Sequence, residues 1–568
     1  MAKNEVEIDY YKAVEDKKTE LSALHARMDN DRALVELGEY TLKDVNGHAV
    51  PNAISVTLND PGVFAVNVES SLGSATEQVI VETEDKQLDT AYIEDFVKAC
   101  FASANSRLIK VSKPALNPFF DQQMCRRGRG AARCLFRMDT KTNTLITDIM
   151  EWDTRFYYSG KDADGQSWAG YEIYKTKDAI AAEAWAKKEK FAIEDEDALV
   201  LEVWSKQKHL IWVNDRKAFE EPHPFGRVPV VEQVVPMGSM MADKDSRAAE
   251  GESIFFLIRD LVPELNRLVS IIQSLNMKAL DNALLYKTPD GKEGEPPEDL
   301  TKPGAVHPMS VDSSVEPVNF GELKRSAYLL HTMIETRVQR GSVTNLDLGI
   351  MGNQPWSAVA LLEIGEGREV VFLPRLGARG MLNQQLAEMI IEQVIATGAT
   401  SVEVGARGHK RTFDTRKLMG EYDISFKYFI KSPKIDVART AMAEQQRGLI
   451  PNKAIRRDTL QREDPEEDER QLRWEEAEQL SPAIKMNRTI QSLLEMAKRG
   501  DKHAELEAQV LSAEMGVNLK AMLAGEVQQQ PTPDTEKKTS PMLPMFDTGG
   551  VKAPSQGVAG PPVEPRGE

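Results

Sequence analysis

The stretch SIFFLIRDLVPELNRLVSIIQSLNMKALDNALLY, residues 253–286, decides how the rest of the chain is read. Its apolar residues Ile258, Leu261, Leu265, Leu268, Ile272, Leu275 and Ala279 recur at steps of three and four, the spacing of one face of an α-helix. Pro263 is expected to kink this helix near its first turns, because proline lacks a backbone donor and crowds the turn before it. With residues 264–286 continuous, the helix spans roughly 34 Å at about 1.5 Å per residue. Residues 287–320 are rich in Pro, Gly and acids, with short β-like pieces around Ala305-Val-His and from Val315 to Phe320. A second long helix is read from Leu323 to about Arg340. Two long helices joined by a compact polar insertion have the plan of two walls of a shaft with a knob at its end.

Downstream, residues 341–357, GSVTNLDLGIMGNQPWS, read as a Gly- and Asn-rich loop. Ala358 to Ala396 reads as a very long helix, with an interruption expected at Gly365, Gly367 or Pro374. The strands SVEVGA and YDISFKYFI follow, residues 436–527 are strongly helical, and the Pro-, Gly- and Gln-rich tail 528–568 is expected to be disordered. No internal repeat at a fixed period is found.

Upstream, Val14, Leu21, Leu24 and Met28 predict a surface helix from Tyr10 to Met28 with modest burial. Residues 50–83 read as short β segments, in which PGVFAVNVESS alternates like a half-buried strand. Asp89 is the expected N-cap of a helix whose Tyr92, Phe96, Cys100 and Ile93, Val97, Phe101 sets make one broad apolar face. A meander is predicted over residues 134–177, from LITDIME, RFYYS and WAGYEIYK, with a turn at Gly160 to Gly165. Another strand pair, ALVLEVWSKQ and HLIWVND, leads into the proline-punctuated stretch Glu221 to Pro229. Strands in the first half with helices dominating the rest make an α+β chain, mainly helical.

The 568 residues suffice for several structural units, and no apolar run reaches the ~18 to 20 residues of a membrane span. The N-terminus alternates acids and bases and lacks the organisation of a secretory signal, so the chain is expected to stay in the cytosol. Three cysteines, Cys100, Cys125 and Cys134, cannot all pair within one chain and show no C-x-x-C spacing; they are read as reduced packing residues. With 71 basic and 89 acidic residues the net charge is -18, which argues against a protein that wraps tightly around phosphates. It does not exclude one that lets DNA pass.

The chemistry of an ATPase has no seat, since Gly160-Lys161 and Gly291-Lys292 lack the first Gly and the final hydroxyl of a P-loop. Neither H-E-x-x-H nor G-x-S-x-G occurs. Gly365 and Gly367 lie in a helical stretch rather than after a strand, so a helix break is preferred to a dinucleotide site. Asp162 and Asp164 lack the third early ligand and distal Glu of a calcium loop, and a hairpin turn is preferred. Arg126, Arg127, Arg129, Arg133 and Arg137 form the densest positive cluster. Without interleaved aromatics it is read as a solvated or paired face rather than a nucleic-acid surface. Asp464-Pro-Glu-Glu467 reads as an N-cap, an N1 proline and first-turn acids rather than a metal cluster. Trp152, Tyr157 and Tyr158 are read as packing residues rather than base-stacking ones.

Over roughly residues 5–515 the order of elements resembles the portal family of tailed double-stranded DNA phages. Gly251-Glu-Ser-Ile254, followed by Leu265-Asn266-Arg267-Leu268 and Ser270, looks like the helix that enters the stem. Lys302-Pro-Gly-Ala-Val306 with Val315 to Phe320 is similar to the clip, and Leu323 to Arg340 to the returning stem helix. The loop before Pro355-Trp-Ser-Ala-Val-Ala360 resembles the tunnel loop and the start of the wing helix. Arg447-Gly-Leu-Ile-Pro-Asn452 with Asp464-Pro-Glu-Glu467 is like the family's late glycine, helix start and acids.

The resemblance implies a portal fold with wing, stem, clip and crown and a ring of twelve subunits at one capsid vertex, without cofactor or catalytic residues. It divides the chain into a wing at 1–250, a first stem helix at 251–286, a clip at 287–320 and a second stem helix at 321–340. The tunnel loop at 341–357, the long wing helix and strands at 358–435, a helical crown at 436–527 and the tail complete it. Implied partners are the terminase large subunit, a head-tail adaptor, the major capsid and scaffolding proteins, and DNA held non-specifically. Lys302, Pro303 and Gly304 fall on the implied docking surface of the clip. Leu346, Asp347, Ile350, Asn353, Gln354 and Trp356 fall in the tunnel loop, which departs from the family by lacking a basic cluster. Lys278, Lys324 and Arg325 are candidates to touch DNA from the stem, or else to form stem-helix salt bridges. Two other readings are a different virion structural protein, such as a minor head protein, and a metal-dependent DNA-processing enzyme. The second requires converging carboxylates that the sequence does not supply.

Overall fold

The protein's fold is a computed structural model describing residues 8–85, 87–139, 144–163, 165–239, 241, 243–280, 284–287, 314–317, 325–342, 358–406, 408–429, 433–462, 465–480, 485, 488–490, 492–493 and 502–514. It is a mixed α+β chain in two units, residues 1–470 and 471–568.

The first unit opens with two helices where one was expected, α1 (Tyr10–Glu20) and α2 (Ser22–Val35). Asp9 starts α1 by accepting from the Lys12 N–H, and the break falls at Leu21. Burial exceeds that of a surface helix, for Arg27 and Asp31 are buried along with Val14, Leu24 and Met28. The strand expected within residues 60–73 is instead α3 (Asp60–Gly73). Pro61 sits in its first turn, where a missing N–H breaks no helical bond, and Phe64, Ala65, Val68 and Leu72 share one buried face. Val66, which a strand would place beside Phe64 and Val68, is 60% exposed.

β1 (Thr76–Glu82) leads to α4 (Thr90–Lys110), where Asp89 accepts from the Tyr92 N–H at 3.2 Å as its position predicts. After α5 (Leu116–Arg126) come β2 (Arg129–Asp139) and β3 (Thr144–Trp152). β4 (Tyr157–Asp162) and β5 (Gly165–Thr176) form the expected hairpin. Beyond α6 (Lys177–Ala182) and α7 (Ala184–Glu189), β6 (Asp197–Ser205), β7 (Lys208–Val213) and β8 (Arg216–Pro222) complete a five-stranded antiparallel meander. Alternation along β6 sends Leu201 and Val203 toward Val14 of α1, and Ala198 and Val200 toward Ile180 and Trp185 of α6 and α7. β9 (Val230–Val234) then pairs with β2, giving the order β3-β2-β9.

α8 (Leu261–Leu280) carries Pro263 in its first turn, so the expected kink has no backbone bond to break. The helix stops at Leu280 instead of reaching 286, because β10 (Leu284–Lys287) pairs antiparallel with β11 (Ser314–Pro317). α9 (Arg325–Gly341) returns and packs along α8. α10 (Ala358–Ala396) runs for 39 residues without the interruption expected at Gly365, Gly367 or Pro374. Beside the proline, Arg375 Nη1 donates to the Val371 carbonyl at 2.6 Å. β12 (Ser401–Val404) and β13 (Arg411–Asp414) form a hairpin, and β14 (Asp423–Phe429) pairs antiparallel with β1 from Thr76↔Phe429 to Glu82↔Asp423. The main core gathers α4, α5 and α10 against β1, β2, β3, β12, β13 and β14.

α11 (Pro433–Gln446) and α12 (Asn452–Ala454) precede a π-helical turn at Ile455–Thr459. α13 (Pro465–Leu480) opens on Pro465, the N1 proline of the predicted helix start. In the second unit the described residues hold the later turns of α13, Arg488 with its guanidinium over the Trp474 ring at 5.6 Å, and α14 (Lys502–Glu514).

Candidate functional site

The arginine cluster is paired inside the chain. Arg126 reaches Glu69 on α3 at 2.7 Å, and Arg129 bridges Glu232 at 3.3 Å and Glu250 at 3.1 Å. Arg133 donates to Glu202 at 2.7 Å, and Arg137 and Arg107 both hold Asp148 at 2.7 Å. Burial opposes ionisation of Asp148, and the arginines at 133, 107 and 137 outweigh it, so its carboxyl stays below the usual range. Glu202 is likewise buried, and Arg133 and His209 hold it well below its ordinary value. These guanidiniums are engaged by carboxylates, which favours the paired reading over a phosphate-binding surface.

A second ionic junction forms at the root of α8. Gly128 and Gly251 lie back to back at φ +74° and +70°; a Cβ on Gly128 would run into the Gly251 carbonyl, and one on Gly251 would meet the Gly128 carbonyl at 2.6 Å. Arg27 of α2 donates to the Ala248 carbonyl at 2.7 Å and the Gly251 carbonyl at 2.9 Å, and lies 3.4 Å from Glu252. Arg259 grips Asp31 of α2 through Nε at 2.6 Å and Nη2 at 2.9 Å, and Nη2 also donates to Glu252 at 2.6 Å. Burial works against the Arg259 charge, but Asp31 and Glu252 more than compensate, so the guanidinium stays protonated. Arg127 adds a bond to the Met28 carbonyl at 2.8 Å. The Gly251-Glu-Ser-Ile254 phrase marked this place in the sequence, but its partner Asp31 stands 228 positions from Arg259 and gave no local signal.

From this root α8 extends with α9 packed along it, and Gly341 at the end of α9 lies beside Leu257 and Ile258. Tyr328, Leu329 and Met333 of α9 are 56%, 58% and 61% exposed, and Met277 of α8 is exposed as well. Lys278 and Arg325 lie on the backbones of α8 and α9, with their side chains outside the described residues. Lys324, Lys302, Pro303, Gly304, Leu346, Asp347, Ile350, Asn353, Gln354 and Trp356 also lie outside the described residues, as does the tail from 528. None of these is therefore brought together with another.

An open cleft of about 910 Å³ between α1 and the meander is lined by Tyr10, Lys206, Lys208, Leu210, Trp212 and Lys217. Its lysines are engaged by carboxylates, Lys206 by Asp162 and both Lys208 and Lys217 by Glu220. Asp162, one of the two aspartates weighed for calcium, thus serves an ion pair. Trp152 is buried and stacks on Tyr171 with centroids 4.8 Å apart, and Tyr157 and Tyr158 are buried beside it and under α1. Among the described residues no group of three or more His, Cys, Asp or Glu side chains could hold a metal ion, and no helix is long and apolar enough to cross a membrane.

No protein-family model matches this chain, and no curated protein does. Among solved structures it is similar to a chain from the neck of an empty gene transfer agent particle computed with C6 symmetry, at a TM-score of 0.38 and 12% identity over 70% of this chain and 89% of that one. A chain of the native gene transfer agent virion matches at a TM-score of 0.36 and 12% identity over 70% and 88%. One from the native neck computed with C12 symmetry matches at 0.34 and 12% over 64% and 88%. At such scores the likeness carries no argument.

Proposed function

We propose that this chain is the portal protein of a tailed double-stranded DNA phage, one subunit of the ring through which DNA enters and leaves the capsid. Subunits assemble in the host cytoplasm and take their place at the portal vertex of the virion. There the ring docks the terminase motor during packaging and the head-completion and tail proteins afterwards, and the chain itself performs no covalent chemistry.

The observation that carries the reading is the pair α8 and α9. They are long and packed on one another, α9 ends at Gly341 beside Leu257 and Ile258 at the root of α8, and Tyr328, Leu329 and Met333 are uncovered on α9. Two such helices support the stem reading on which the family resemblance rests, and an uncovered apolar stripe on a long helix suits contact between copies. The ion-paired arginines and the acidic balance suit a channel that lets phosphate slide rather than grip.

Electron micrographs of the purified full chain are expected to show rings with a central hole. A protein that stays monomeric at micromolar concentration overturns the proposal. A Gly-Ser replacement of Asn345 to Gln354 is expected to leave rings intact and impair DNA packaging or retention; normal packaging would make that loop a plain connector.

A further inference from the structure

Residues 40–58 belong to no sheet, yet alternate backbone donors from Ile54 to Leu58 are satisfied in an ordered way. Ile54, Val56 and Leu58 donate their N–H groups to Ser274 Oγ at 2.9 Å, Ser270 Oγ at 2.8 Å and Asn266 Oδ1 at 3.0 Å. The donors step by two and the acceptors by four, since two extended residues advance about 6.6 Å and four helical residues about 6 Å. The segment thus runs antiparallel along α8. Ser270 gives its own hydroxyl to the Asn266 carbonyl at 2.7 Å, which leaves its lone pairs to Val56. Between these donors, Ser55 Oγ accepts from the Leu42 N–H at 3.0 Å and Thr57 Oγ1 from the Tyr40 N–H at 2.9 Å, so a second layer backs the first. The N–H groups of Ser55 and Thr57 have no partner among the described residues.

We infer that residues 40–58 are a strap that fixes the axial register of α8, with Asn266, Ser270 and Ser274 as its positioning residues. Apolar packing is non-directional and tolerates sliding of a helix along its axis. Polar acceptors at one-turn spacing do not, since a slide of half a turn, about 2.7 Å, would break all three bonds together. Ser270 and Asn266 are buried, so the ladder is closed to competing water over most of its length. The strap joins α2 to α3 in the chain, and α2 carries the Asp31 that holds Arg259. One continuous stretch therefore grips α8 by charge at its root and by neutral acceptors along its length. The inference stands whether or not the chain forms a ring.

Residue-resolved hydrogen exchange on the full chain tests it. Amides of Ile54, Val56 and Leu58 are expected to exchange on the order of tenfold or more slower than those of Ser55 and Thr57. Ser274→Ala is expected to remove the protection of Ile54 and Ser274→Thr to keep it, while Ser270→Ala frees Val56. Uniform exchange across 54–58, or protection unchanged in both alanine variants, overturns the ladder. Spin labels on cysteines replacing Arg32 and Gln273 read the register itself: a narrow distance distribution is expected for the parent chain and a broadened one after Ser270→Ala with Ser274→Ala. An equally narrow distribution in the double variant would reduce the strap to a cover and sink the inference.

Discussion

The body built on α4, α5 and α10 and the paired helices α8 and α9 treat their demanding groups in opposite ways. In the body, arginines 126, 129, 133 and 137 each meet a carboxylate of the same chain, drawn from α3, β3, β6, β9 or the 250s. On α9 the residues that would prefer cover, Tyr328, Leu329 and Met333, are left to solvent. Leaving a buried charge unpaired would cost several kcal/mol, whereas each Å² of exposed apolar surface costs only about 25 cal/mol. These four arginines therefore complete their electrostatics within the chain, while α9 leaves apolar surface for a neighbour, which is what the proposed ring requires.

The sharpest way to break that contrast is Arg259→Ala. It strands the buried Asp31 and leaves the buried Glu252 to Arg27 alone, and is expected to cost about 3–5 kcal/mol in chemical denaturation. A loss within the range of surface substitutions would mean the junction is not electrostatic. Gly251→Ala, which adds a Cβ at φ +70° against the Gly128 carbonyl, is expected to cost about 1–3 kcal/mol by the same measurement.

Acid should act on the body rather than on the paired helices. Asp148 and Glu202 have folded values below their unfolded ones, so their contribution is complete above about pH 5 and is lost as pH falls through the folded values. Asp148→Asn is expected to lower the urea midpoint at neutral pH and to flatten its decline between pH 4 and 2.5; an unchanged slope would remove Asp148 from the acid response. The smallest effect on stability, within about 0.5 kcal/mol, is expected for Tyr328→Ser with Met333→Ser. Sedimentation of that double variant should nonetheless show smaller assemblies than the parent, and identical assemblies would clear α9 of any role in association.

Local signals in the sequence foretold the fold wherever one spacing stood unopposed. Asp89 announced α4, and the turn near Gly160 to Gly165 announced the β4–β5 hairpin. The stretch forming α3 failed because Phe64, Val66 and Val68 satisfy a two-residue period while Phe64, Ala65, Val68 and Leu72 satisfy a helical one; Pro61 in the first turn was the deciding clue. Leu280 ended α8 early because β10 found a partner in β11, a pairing no local pattern records. The candidate junction was half legible: Gly251 and Glu252 were noticed as a phrase, but Arg27 and Asp31 looked like ordinary surface charge. Their meaning depends on Arg259, more than two hundred residues away. The strap was invisible for a similar reason, since Asn266, Ser270 and Ser274 interrupt an apolar helix without saying which backbone they serve.

The three cysteines give the chain a property of practical value. Cys100, Cys125 and Cys134 are fully buried, and burial pushes the Cys100 thiol up to about 12 and the other two higher still. The native molecule is therefore chemically silent toward thiol reagents at neutral pH. A single cysteine placed at Leu329 would be the sole reactive thiol, and a fluorophore there would report, in the folded chain and without altering any native residue of the core, the moment another molecule covers that helix.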